Sequence, residues 1–444
     1  MFDLVLKNGT IVNDGKVFEA DIAITNERIE QVDSMIASEA HHEINLEGKH
    51  IIPGLIDDQV HFREPGLTHK GNIQSESRAG LAGGVTSYFE MPNVNPTTTN
   101  HKNLQAKFDL AATKSHANYS FYLGASNTNI DEIKQIDKKL ACGIKVFMGA
   151  STGDMLVDDP DALDAIFKES PVNIVTHCED TPIIQRNEKA IIDKFGQDID
   201  ASFHPKIRDA ESCLRSSQLA HDLATKHGSN LHILHLTTAD EMKLLTQGEI
   251  KNKKITGEVC VHHLFFDESS YSDLGNQIKC NPSIKSAQDR LALIKAVQSD
   301  KIDIIATDHA PHTWEEKQQV YLDAPSGLPL IQHSLNVLLD FYLQGIFSLE
   351  QIVQKTSHNI AQRFQVKDRG YIREGYYADL AIIDLQAPIK VTEDNILYHC
   401  GWSPFLNHKF GGSVDSTIIN GNLVYNQGAL VADLPLGHRI EFDR

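Results

Sequence analysis

Short apolar runs recur through the middle of the chain and alternate with stretches of helical period. The runs are IIPGLID (51–57), VTSYFEM (85–91), NYSFYLG (118–124), GIKVFMG (143–149), NIVTH (173–177), LHILHL (231–236), ITGEVCVHH (255–263) and IDIIATDH (302–309). Their length and their branched and aromatic content read as buried strands. Stretches between them, such as NLQAKFDLAATK (103–114) and RSSQLAHDLATKHG (215–228), are long enough to serve as crossover helices. Eight such β/α units predict a (β/α)8 TIM barrel, an α/β fold whose site is assembled at the C-terminal ends of the strands.

The two ends of the chain follow a different pattern. DLVL (3–6), TIV (10–12), ADIAIT (20–25) and RIEQV (28–32) are short strand patterns punctuated by Asn8-Gly9, Asp14-Gly15 and Asn26. ADLAII (378–383) and NGNLVYNQG (420–428) echo them in wording and spacing. Neither end can bury a face alone, so the two are expected to pair into one small composite β-sandwich domain, residues 1–52 with 368–444, around a barrel of residues 53–367.

Composition narrows the class. The chain has 444 residues, 41% of them hydrophobic, and a net charge of −19 with no basic stripe. That supports a sizeable core and gives no electrostatic footprint for nucleic acid or an anionic membrane surface. The six cysteines are scattered with no C-x-x-C pair, the N-terminus lacks a signal-like pattern, and no apolar run is long enough to span a bilayer. The expected location is the cytoplasm.

Polar residues cluster at the predicted strand ends: His61, Asn93, Lys145, His177, His235, His262 and Asp308. In DDQVHFREPG, Gln59, His61 and Arg63 have period two and point to one side. Lys145 lies inside an apolar strand, where an ammonium is costly; a snorkelling side chain, an ion pair, a Schiff base and a carbamate all satisfy that position. His177, His235, His61 and Asp308 supply, from four strands, the nitrogen and oxygen donors that zinc or manganese takes. Arg63 reads either as a carboxylate clamp or as a salt bridge with Glu64, and Asn93 and Asn281 as polar contacts or turn residues. Cys178 is expected off the ligand face, and His262 and His263 to point opposite ways if their strand continues. The loop 312–328 reads as a substrate cover or a static surface loop.

The segments PGLIDDQVHFREPGLTHKG, RAGLAGGVTSYFEMPNVNPTT, GIKVFMG, THCED, HILHLTT, VCVHHLFF, IKCNPSIK and IIATDHAPH resemble those of the dihydroorotases, within the cyclic amidohydrolase superfamily of hydantoinases, dihydropyrimidinases and allantoinases. The resemblance spans nearly the whole chain. It implies one or two Zn2+ ions, with His61 and Asp308 on the first, His177 and His235 on the second, and an N6-carboxylated Lys145 bridging them. Gln59 stands where the family pattern H-x-H has its first histidine, which implies a weakened first site. Arg63, Asn93 and His312 would hold a substrate carboxylate, Asn281 with the backbone at Gly327 and Leu328 the ring amide edge, and Asp308 would act as the proton-transferring residue. The implied reaction is the reversible, zinc-dependent cyclisation of N-carbamoyl-L-aspartate to dihydroorotate in pyrimidine synthesis, by a homodimer. The rivals are another cyclic amidohydrolase, or a catalytically impaired scaffold.

Overall fold

The structure is a computed structural model that describes residues 1–149, 155–431 and 434–444. A distorted (β/α)8 barrel is joined to a composite β-sheet made by both ends of the chain. The barrel strands are Leu55–Val60, Val85–Glu90, Asn118–Phe121, Ile144–Phe147, Ile174–His177, Leu231–Ile233, Ile255–Cys260 and Ile304–Ala306. Neighbours pair in parallel, and the ring closes where Val60 bridges His309 and the His61 N–H donates to the His309 carbonyl at 2.7 Å. Leu123–Gly124 carries the third strand across to the fourth.

The distortion has local causes. The first strand shifts register twice against the second, between Leu55 and Ile56 and between Asp57 and Val60. Beyond Leu231–Ile233 the crossover is made by short 3-10 turns, Asp240–Lys243 and Ile250–Asn252. The helices that do form carry the expected ends. Asp209 caps Ala210–His227 through the Ser212 N–H, and Gly228 closes it in the left-handed conformation.

Both ends of the chain meet in one nine-stranded sheet. Leu380–Asp384 runs antiparallel to His50–Pro53, which in turn runs parallel to Phe2–Asn13, so the C-terminal strands join the N-terminal ones at that seam. The apolar run 51–57 is therefore two strands. It divides at Gly54, whose N–H donates to the Asp379 carbonyl and where a Cβ would fall 2.2 Å from Thr86 Oγ1. Residues before Gly54 serve the terminal sheet and residues after it start the barrel. Among the described residues no helix is long and apolar enough to cross a membrane.

Candidate active site and ligand clusters

The C-terminal ends of the barrel strands bring Gln59, His61, Arg63, Asn93, Lys145, His177, His235, Asn281, Asp308 and Gly327 around one cavity of about 100 Å³. Residues separated by 268 positions in sequence (59 to 327) thus share one small volume because they lie at the ends of several barrel strands.

His61 is held from two sides. Its Nδ1 lies 2.8 Å from Asn93 Oδ1, and its Nε2 lies 3.1 Å from Asp308 Oδ1. The amide oxygen can only accept, so Nδ1 carries the proton and the bare Nε2 of a neutral ring faces a carboxylate. Burial drives the imidazole pKa down, against the pull of Asp308, and favours the neutral ring, while Asp308 stays below its usual value despite burial, among His61, His262 and Lys145. A lone pair set against a carboxylate is the arrangement a cation resolves. Gln59 donates its amide nitrogen to Asp308 Oδ1 at 3.1 Å and turns its oxygen toward Cys260 Sγ at 4.0 Å. The expected ligand role of the Gln59 oxygen is therefore not what the structure displays, and Asn93 spends its oxygen on His61.

The second histidine pair is equally constrained. His177 Nε2 lies 2.9 Å from Glu179 Oε2, and its Nδ1 lies 2.9 Å from His235 Nε2. Burial pushes Glu179 up, but Arg208 and His177 outweigh it and hold the carboxyl down at about 2. As an acceptor, Glu179 leaves His177 Nδ1 bare, and His235 Nδ1 is buried without a partner. A carboxylate backing a histidine whose other nitrogen faces the cavity is the usual support of a metal ligand, so this donor set fits a divalent ion. Lys145 is buried beside them with its pKa drawn down to about 8 by burial; its amine lies 4.6 Å from the centre of the Phe147 ring. No hydrogen bond joins it to another described residue.

Arg63 donates from Nε to the Pro311 carbonyl at 3.0 Å and sets one terminal nitrogen 3.1 Å from His312 Nε2. The alternative partner, Glu64, is turned away to Lys114 and to the Ile73 N–H, so Arg63 has no ion-pair partner among the described residues. Asn281 Oδ1 is buried and unpaired at the cavity wall. Gly327 lines the cavity with its backbone already engaged, the N–H on the Lys279 carbonyl and the carbonyl on Lys317 Nζ. Leu328 does not line it and gives its carbonyl to the Ala310 N–H. At these two residues the Gly327 N–H and both carbonyls are thus engaged within the protein.

The loop 312–328 is laced in place. Lys317 Nζ donates to the carbonyls of Lys279, Pro325 and Gly327, and Lys279 Nζ donates to those of Tyr321 and Ala324. Lys317→Met strands three carbonyl acceptors, and the expected loss is about 3 kcal/mol of stability, with faster amide hydrogen exchange confined to residues 318–328. An unchanged denaturation midpoint would show that the lysine is dispensable to the loop.

Three residues of the site, Arg63 (φ 70°), His235 (φ 37°) and Asp308 (φ 50°), sit in the left-handed region without being glycine. Aspartate and histidine enter this region more readily than most residues, so the strain is greatest at Arg63.

Two clusters of ligand-type atoms converge closely enough for one ion, each with all atoms within 4.8 Å: Asp58, His232 and Glu258, and Cys260, His262 and His263. His262 and His263 are on a short helix, Val261–Phe265, and not on a continued strand, so their rings lie together, 3.9 Å between centres, instead of pointing apart. Sequence reading missed Asp58, His232, Glu258, Glu179 and Arg208. The signal for the first three was a charged or imidazole side chain within an apolar strand.

Residues 50–424 match the amidohydrolase family. The chain is 30% identical to an allantoinase of Desulfitobacterium hafniense over 99% of its length and 98% of that protein, and 31% identical to a dihydroorotase of Methanothermobacter thermautotrophicus over 97% and 96%. The fold superposes on L-hydantoinase (dihydropyrimidinase) from Arthrobacter aurescens with a TM-score of 0.94, at 26% identity, covering 99% of this chain and all of that one. These likenesses correct one expectation. The identification as a dihydroorotase, of the branch with a bridging Lys145 and Gln59 in the first ligand position, does not stand. An allantoinase matches the same span at the same level, and the compact ligand clusters are of the His/Asp/Glu and Cys/His/His types, containing neither Lys145 nor Gln59.

Proposed function

The chain belongs to the amidohydrolase family and is a metal-dependent hydrolase acting on a cyclic amide; from that premise we propose that it opens, and in reverse closes, the ring amide of a small cyclic ureide of the hydantoin, dihydropyrimidine or allantoin type. The observation that carries this reading is the pairing of His61 with Asp308 opposite His177 with His235, across a cavity of about 100 Å³. We assign these four residues to the catalytic ion or ions. When bound, such an ion supplies Lewis acidity toward the ring carbonyl and toward water.

The protein's own groups supply the rest. Asp308, held ionised, accepts the proton of the attacking water and returns it to the departing ring nitrogen. The Gln59 amide fixes one of its oxygens while the other is left for that transfer. Asn93 sets the ring plane and tautomer of His61, and Glu179 with Arg208 those of His177. Asn281 offers a buried acceptor to a ring N–H. Glu179→Gln keeps the shape and removes the charge; it is expected to weaken Zn2+ binding by about 10- to 100-fold, read by competition with a chromophoric chelator. An unchanged affinity would leave Glu179 as a partner of Arg208 alone.

A second reading has its own observation. Arg63 faces the cavity with no carboxylate partner among the described residues, which suits a ring bearing an exocyclic carboxylate, of which dihydroorotate is one. The test is a panel of hydantoin, dihydrouracil, allantoin and dihydroorotate with the zinc-loaded protein. Highest kcat/KM on an uncharged ring supports the first reading, and on the carboxylated ring the second. Failure to open any of the four would overturn both.

A further inference from the structure

Below the cavity floor, Asp58, His232 and Glu258 project inward from three barrel strands, Leu55–Val60, Leu231–Ile233 and Ile255–Cys260. All three are fully buried. Little else there offers a polar contact: the Phe364 ring lies edge-on to His232, and the Tyr122 hydroxyl is spent on the Asp58 backbone carbonyl. Two carboxylates in such a place are expensive unless paired. Yet Asp58 Oδ1 and Oδ2, His232 Nε2 and Glu258 Oε2 are all buried without a well-formed hydrogen bond, and only loose ion contacts join His232 to the two carboxylates.

The tautomer of His232 is readable. Thr256 Oγ1 donates to the Leu231 carbonyl, so it can only accept from His232 Nδ1, 2.8 Å away. His232 Nδ1 therefore bears a proton and Nε2 faces the two carboxylates, 3.3 Å from Asp58 Oδ2 and 3.5 Å from Glu258 Oε2. A charge-assisted hydrogen bond would shorten one of these to about 2.7–2.9 Å. Both are instead near the roughly 3.3 Å that separates donors sharing a tetrahedral ion at about 2.0–2.1 Å.

We infer that Asp58, His232 and Glu258 form a buried site for a first-row divalent cation such as Zn2+, separate from the substrate cavity and structural in role. A mixed imidazole and carboxylate set suits zinc or manganese. The proton is the competing occupant: burial lowers His232, but its two carboxylate neighbours carry it up to about 9, while burial and Asp58 raise Glu258 to about 7. A cation neutralises both carboxylates at once and joins strands whose upper ends carry His61 and His235. The link to the floor is direct, because Glu258 Oε1 accepts the His235 N–H at 3.0 Å.

The test uses the full chain expressed with Zn2+ as the added metal. Anomalous diffraction from wild-type crystals at the zinc edge is expected to place a peak among Asp58, His232 and Glu258, whatever the occupancy of the cavity. Zinc counts then separate this site from the catalytic one. The pair Asp58→Asn/Glu258→Gln is expected to lose one equivalent, while His177→Ala/His235→Ala keeps that equivalent and loses zinc at the cavity. No anomalous peak at the cluster, or a zinc count unchanged in the Asp58/Glu258 variant, would overturn the inference, and the assignment of the cavity ligands would be unaffected. A wild-type peak only above the floor, together with a cavity variant that binds no zinc at all, would do the same.

Discussion

Asp308→Asn is expected to lower kcat by about 10²- to 10⁴-fold on the best cyclic ureide of the panel, the range attached to a positioned acid–base group. The amide preserves volume and can still contact Gln59, but it cannot take up a proton. It also removes the anion facing His61 Nε2 at 3.1 Å, so zinc content must be measured beside steady-state rates. A loss of kcat at unchanged zinc content identifies proton transfer as the missing step. A loss that tracks zinc content and is restored by excess Zn2+ would reassign Asp308 to metal retention alone, and a loss smaller than tenfold would remove it from the mechanism.

Arg63→Met separates the two substrate readings with the next largest effect. On a carboxylated ring the variant is expected to lose about 100-fold or more in kcat/KM, because a buried charge pair is left with one partner. On an uncharged ring the change should stay within tenfold or be a gain, since the wild-type pocket must desolvate a guanidinium that such a ring cannot satisfy. Equal losses on both would show that the arginine acts by holding Pro311 and His312 in place.

How far these residues were legible in the sequence depends on what kind of signal each leaves. His61, His177, His235 and Asp308 are polar groups at the ends of apolar runs, and the barrel topology alone brings such positions together. Their partners were not legible. Whether Gln59 turns its oxygen or its nitrogen inward, and whether Asn93 addresses substrate or His61, depends on hydrogen-bond competition across strands distant in sequence. Periodicity also misread the segment 255–263, because nothing in the pattern VCVHHLFF marks where a strand yields to a short helix at Val261. The echo between the two chain ends was readable as shared hairpin spacing, and the seam at His50–Pro53 shows why: each end supplies strands that the other completes. The split at Gly54 was hidden inside one apolar run, since both of its halves are buried.

The left-handed backbone at Arg63, His235 and Asp308 bears on the idea that this barrel has abandoned chemistry and persists as a scaffold. At each of these positions glycine relieves strain that alanine does not, so Asp308→Gly should melt at a higher temperature than Asp308→Ala. A chain under selection for stability alone would have a downhill route to glycine or asparagine at all three. This sequence instead holds an arginine, a histidine and an aspartate at these positions, each with a part in the proposed reaction.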